Sequence, residues 1–138
     1  MKPIFRKIVG CCSVMASLIG AGCGVRSDNS GIERVSPREF QERLTSDSTG
    51  YLLDVRKPAE YAEGHLEGAH LLNWLDSLTF KRDFIQIDSA RTIYIYCRSG
   101  RRSNDAAAFL TDHGYKVVDM DGGIMAWERD GLPVTKEE

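Results

Sequence analysis

The sequence predicts an α/β fold: a parallel sheet covered by helices on both faces. Two observations carry this. Short apolar runs alternate along the chain with segments of helical character, and alternation of that kind argues for parallel strands joined by helical crossovers. The runs are also nearly continuous in hydrophobicity, as in YLLDV (51–55) and TIYIYC (92–97), which suits strands buried on both sides. At 138 residues the chain holds one domain and a short leftover segment.

The elements follow in order. SPREFQERL opens a helix, with Ser36 as cap, Pro37 at the first helical position and Glu39 completing a capping box. YLLDV is a buried strand. KPAEYAEGHLEGA (57–69) reads as a short helix ended by Gly64, leading to a second short strand near His70–Leu72. WLDSLTFKRDFIQI (74–87) has apolar residues at mixed helical spacing and reads as helix. TIYIYC is the clearest strand, rich in β-branched and aromatic residues. A helix follows from about Ser103 and stops at Gly114. KVVDM (116–120) is another strand, and GGIMAWERDG a final helix ending at Gly131.

Residues 1–22 have a different character. Lys2, Arg6 and Lys7 precede a run of apolar and small residues, and no acidic residue appears before Asp28. A positive start, an apolar core and a small-residue end describe a secretory signal peptide. Cys23, directly after the small residues, makes the segment similar to a bacterial lipoprotein signal, in which that cysteine is lipidated as the new N-terminus. Gly20 stands where that pattern usually has leucine, and Ile19 lies one place early. An uncleaved anchor and an ordinary secreted protein are the alternatives. Residues 23–31 then form a polar, glycine-containing tether, and residues 32–135 the domain. The expected location is outside the cytoplasm, in the periplasm or cell envelope, attached to the membrane through a lipid on Cys23.

Composition narrows the function. Charged residues make up 28% of the chain, which excludes an integral membrane bundle. A formal charge of -2 leaves no footprint for general nucleic-acid binding. The four cysteines are Cys11, Cys12, Cys23 and Cys97. Export would remove the first two and acylation would occupy the third, so no disulfide scaffold is expected. No metal-ligand spacing occurs and no cofactor is implied.

Cys97 ends the best strand, and Arg98, Ser99, Gly100, Arg101 and Arg102 follow it before the next helix. Sites in open α/β sheets lie at the carboxyl ends of strands. Gly100 lets the loop turn, and a tight turn feeding a helix aims successive backbone N–H groups inward as an anion-binding nest. Such a nest, a helix N-terminus and nearby arginines favour a thiolate, the reactive form of cysteine. The bland alternative is a buried cysteine ending a core strand beside solvated arginines.

DVRKPAEYAEGHLEGAHLLN (54–73), YCRSGRRS (96–103) and DGGIMAWERDGLPV (121–134) together resemble a rhodanese domain across most of residues 32–135. The resemblance implies a doubly wound parallel sheet and a sulfurtransferase with Cys97 as sulfur carrier. Catalytic members take sulfane sulfur from a small anion such as thiosulfate and pass it from a cysteine persulfide to cyanide or a thiol. By the same resemblance, the backbone from Arg98 to Arg102 cradles the persulfide, and Arg102 matches the arginine that closes the loop. Arg98 and Arg101 occupy variable positions, where donor binding and plain solvation are both open. Asp54 and Arg56 are expected to support the site, holding loops beside it; Glu60 and His65 belong to the same block. Related folds that hydrolyse phosphate esters carry arginine where this chain has Ser103, and a thiol–disulfide oxidoreductase would want a second nearby cysteine. The remaining rival is a non-catalytic rhodanese module, or a persulfide carrier that binds an envelope partner.

Overall fold

A computed structural model describes residues 26–27 and 31–136. The signal-like segment 1–22 and Cys23 lie outside the described residues. Six strands form one sheet: β1 (Arg26–Ser27), β2 (Ile32–Val35), β3 (Tyr51–Asp54), β4 (His70–Leu71), β5 (Ile93–Tyr96) and β6 (Val117–Met120). Their order is β1-β2-β6-β5-β3-β4, and every neighbouring pair is parallel except β1 with β2. The helices are α1 (Pro37–Ser46), α2 (Pro58–Glu63), α3 (Ser77–Asp83), α4 (Arg101–Asp112) and α5 (Gly123–Arg129).

The central strand β5 explains how the sheet is held. Its four residues, Ile-Tyr-Ile-Tyr, are all buried. Side chains of a strand alternate between faces, so Ile93 and Ile95, with Cys97 beyond them, join Phe80, Phe84, Ala106 and Leu110 in one cluster. Tyr94 and Tyr96 join Phe40, Leu66, Ile124 and Trp127 on the opposite face. The first cluster belongs to α3 and α4, the second to α1 and α5. Each fully buried large apolar side chain contributes roughly 1.5–3 kcal/mol to this two-sided core.

Local chemistry sets the element ends, with several departures from the sequence reading. Ser36 caps α1 as expected, accepting from the Glu39 N–H at 3.3 Å. No capping box closes there, because the Glu39 carboxylate turns to Arg43. The box-type return bond occurs instead at α2, where Glu60 Oε2 accepts from the Lys57 N–H at 3.0 Å. α3 begins only at Ser77, capped by Asp76, and its last turn tightens to a 3₁₀ turn at Phe84–Gln86. β2 has no counterpart in the sequence reading. Its Ile-Glu-Arg-Val pattern buries only the two end residues, too brief a signal to stand out beside the adjoining helix. Within the stretch read as tether, Arg26–Ser27 pairs antiparallel with Arg34 and Glu33.

Candidate active site at the cysteine loop

Cys97 follows β5 at its carboxyl end, in the middle of the sheet, and its side chain is fully buried. The loop after it is shorter than the sequence suggested. Arg101 and Arg102 form the first turn of α4, not the loop. The chain therefore turns within Arg98, Ser99 and Gly100, and Gly100 does so at φ +105°, where a β-carbon would be strained.

The turn brings a backbone donor onto the sulfur. The Gly100 N–H points at Cys97 Sγ, 3.0 Å away. Gly100 is the N-cap of α4 and its carbonyl accepts from the Asn104 N–H at 3.1 Å. The N–H groups of the first helical turn have no partner within the helix and carry its positive end. Negative charge on Sγ thus meets a donor already in place and a favourable helix field.

The loop is anchored from α5. The Ile124 N–H donates to the Cys97 carbonyl at 2.8 Å, and the Met125 N–H to that of Arg98 at 3.1 Å. Position 123 must be glycine for this approach, since a β-carbon there would lie 2.4 Å from the Arg98 oxygen. The sequence reading places Gly122 and Gly123 at the start of the final helix without identifying what they approach.

The arginines divide by role. Arg98, Ser99 and Arg101 are exposed. Arg102 is half-buried and grips Glu60 with two parallel hydrogen bonds of 2.7 and 2.8 Å. This fork holds the Glu60 carboxyl down at about 2, against an ordinary 4.5. Glu60 also raises Arg102 above its usual range, and Cys97 is among the lesser charges acting in that direction. Since Glu60 caps α2 as well, one carboxylate joins α2 to the first turn of α4. Sequence reasoning named both residues but not their pairing, which no spacing along the chain reveals.

Asp54 and Arg56 form a second fork behind the loop. Arg56 is 5% exposed and Asp54 fully buried. The guanidinium donates to Asp54 Oδ2 from Nη2 at 2.7 Å and to Oδ1 from Nε at 3.0 Å. It also donates to the Gly64 carbonyl at 2.7 Å and stands 5.6 Å from the centre of the Tyr96 ring. The pair ties the end of β3 to the end of α2 and to β5. His65 stacks on Tyr61 at 3.7 Å, and its Nδ1 lies 2.8 Å from the Tyr61 carbonyl oxygen.

An open cleft of about 400 Å³ adjoins the loop, with Glu60, Glu63 and Gly64 on one side and Arg98, Ile124 and Met125 on the other. Among the described residues no group of three His, Cys, Asp or Glu side chains is placed to hold a metal ion. No helix among them is long and apolar enough to cross a membrane.

Comparison with known proteins agrees with this architecture. Residues 36–130 match the rhodanese-like domain family. The chain is 36% identical over 108 residues to a sulfurtransferase from Allochromatium vinosum, an alignment covering 78% of this chain and 98% of that protein. The crystal structure of a rhodanese-related protein from Thermoplasma volcanium superposes with a TM-score of 0.68 at 25% identity, covering 75% of this chain and 98% of the other. The Alr3790 protein from Anabaena superposes with a TM-score of 0.64 at 26% identity, covering 74% and 82%.

Proposed function

The chain belongs to the rhodanese-like domain family, and from that premise we propose that it transfers sulfane sulfur through a persulfide on Cys97. One observation carries the reading: the Gly100 N–H set 3.0 Å from Cys97 Sγ at the start of α4. Negative charge that develops on the sulfur during transfer finds this donor already in place.

The chemistry has two balanced steps. The Cys97 thiolate attacks the sulfane sulfur of a donor such as thiosulfate. The donor's S–S bond breaks, sulfite leaves with the bonding electrons, and Cys97 carries the persulfide anion. Cyanide carbon or a thiolate then attacks the outer sulfur. The new S–S bond breaks, the product leaves as thiocyanate or a persulfide, and the Cys97 thiolate is restored. The loop N–H groups accommodate the charge throughout. Arg98 and Arg101, exposed beside the loop, attract the anionic donor. The two forks keep the loop's surroundings rigid.

The test is thiosulfate:cyanide sulfurtransferase activity of the purified protein beside Cys97→Ser, with intact mass read after thiosulfate treatment. The reading expects thiocyanate formation from the wild type only, and a gain of one sulfur by the wild type only. A folded wild type that neither turns over nor gains mass removes thiosulfate as the donor.

The same reading includes a membrane tether through a lipid on Cys23, which places the domain in the cell envelope. It is supported by the basic start, apolar run and small residues that precede Cys23. Fatty-acid labelling in cells checks it: label should appear on the wild type and vanish with Cys23→Ala.

A further inference from the structure

Asp119 stands out among the groups that the sulfur-transfer scheme leaves unused. It is an acid in the middle of an apolar strand and is 1% exposed. Its Oδ1 has no hydrogen-bond partner. A carboxylate buried in this way is costly unless something uses it.

Its position relates it to Cys97. Asp119 is paired in register with Ile95 on the neighbouring strand β5, and Ile95 and Cys97 lie on the same face of the sheet. Two residues further along β5 places Cys97 diagonally across from Asp119, roughly 8 Å between backbones given ordinary strand spacings. Both sit beneath the first turn of α4. Ser103 of that turn is fully buried and donates from its hydroxyl to the Gly100 carbonyl at 3.2 Å. Ser103 also favours the charged form of Asp119 by hydrogen bonding. The same serine therefore faces Asp119 and the residue whose N–H rests on Cys97 Sγ.

Two other charged groups bear on this carboxyl. Arg34, its register partner on β2, brings Nε to 3.7 Å from Oδ2 but aims that N–H at Asn104 Oδ1. Asp121, just beyond β6, opposes the charge. Burial dominates and lifts the carboxyl to about 7, from an ordinary 3.8.

We propose that Asp119 is a positioning residue for sulfur transfer, whose charge, set behind Cys97 and shared with Ser103, governs how readily negative charge returns to Cys97 Sγ. The proposal rests on the reading that Cys97 carries the sulfur. When cyanide takes the outer sulfur, charge moves inward from that atom onto Sγ. A neutral Asp119 leaves the helix field unopposed, and Ser103 remains on the Gly100 carbonyl. An ionised Asp119 adds a like charge behind the leaving sulfur, competes for the Ser103 hydroxyl and slows the step.

The experiment compares wild type with Asp119→Asn between pH 5.5 and 8.5. Intact mass first records sulfur gain from thiosulfate, and the rate of discharge to cyanide is then measured. Using the ratio of variant to wild-type rate at each pH cancels the titration of cyanide itself. The ratio should stay near one at pH 5.5 and reach roughly three- to tenfold by pH 8, the size expected for like charges at this spacing in a strongly screened interior. A ratio that does not change with pH overturns the proposal. Asp119→Ser makes the same charge deletion in a smaller side chain and serves if the Asn variant does not fold. Alkylation of Cys97 by iodoacetamide, a neutral reagent, is followed in the same samples. If the wild type gains no sulfur, thiosulfate fails as the donor, independently of Asp119. The alkylation ratio then still decides whether the Asp119 charge acts on Cys97: divergence from one with pH supports it, and superimposable profiles reject it.

Discussion

A β-carbon on Gly123 would stand 2.4 Å from the Arg98 carbonyl oxygen, so the cysteine loop and the start of α5 meet only because position 123 has no side chain. Gly123 also has φ +60°, a region that other residues enter at a cost. Gly123→Ala should destabilise the protein by roughly 2–4 kcal/mol, since the clash is with backbone that cannot turn aside. The displaced loop should also fail to take up sulfur. Gly114→Ala is the control: φ is +89° there, yet nothing lies within 4 Å of the added carbon. It should cost about 1 kcal/mol and leave sulfur uptake intact. Urea unfolding and intact mass read both variants.

The Glu60–Arg102 fork makes a prediction with a definite sign. Glu60 is held at about 2 in the folded protein, against an ordinary 4.5. Its stabilisation is therefore complete above about pH 4.5 and is lost as pH falls toward 2. With both partners partly open to water, about 1–2 kcal/mol is expected at neutral pH. Glu60→Gln should show that deficit in unfolding experiments at pH 6, a smaller one at pH 3 and almost none at pH 2. Arg102→Lys, which keeps the charge but loses the parallel fork, should fall between. A constant deficit at all three pH values would assign the effect to packing.

The alternation of strands and helices, the position of Cys97 after β5 and the Ser36 cap were all legible along the chain, because each depends on residues close in sequence. What escaped was non-local or weakly signalled. β2 shows only Ile32 and Val35 as apolar residues, and its pairing with β6 is decided by the sheet. The sequence alone puts the start of α4 near Ser103, because three closely spaced cations resemble loop residues. The fold lets Arg102 enter the helix because Glu60, 42 positions away, receives its charge. Gly123 is visible in the sequence as one of two adjacent glycines opening the last helix, but its contact with Arg98 requires two loops to be brought together. Asp119 did carry a signal, a carboxylate inside an apolar strand, which became meaningful only once its face of the sheet was known.

The buried Asp54–Arg56 fork should be much less tolerant of losing one partner than both. Arg56→Ala leaves the Asp54 carboxylate fully buried without its guanidinium, at a cost of about 3–5 kcal/mol. The double variant Asp54→Asn, Arg56→Met removes the stranded charge and should recover a substantial part of that loss. Because Arg56 also holds the Gly64 carbonyl at 2.7 Å, neither variant should regain full sulfur uptake. Thermal unfolding of the two variants beside the wild type checks the order. A double variant less stable than Arg56→Ala would show that the fork acts through something other than charge compensation.

The opposite pH behaviour is expected of Asp119. Its carboxyl is raised from 3.8 to about 7 by burial, so between these values the folded protein keeps a proton that the unfolded chain releases. Folding stability should therefore decline as pH rises from about 4 and level off above 7. The shift sets a ceiling near 4 kcal/mol, and relaxation of the surroundings makes about 2–3 kcal/mol a reasonable size for the decline. Asp119→Asn, nearly the same shape without the ionisable proton, should match the wild type near pH 4.5 to within about 1 kcal/mol. It should then be the more stable protein by roughly the whole decline at pH 8. Denaturant midpoints of the two proteins across this range measure the difference directly. A gap that does not widen with pH would mean that Arg34, across the register on β2, already compensates the Asp119 charge in the folded state.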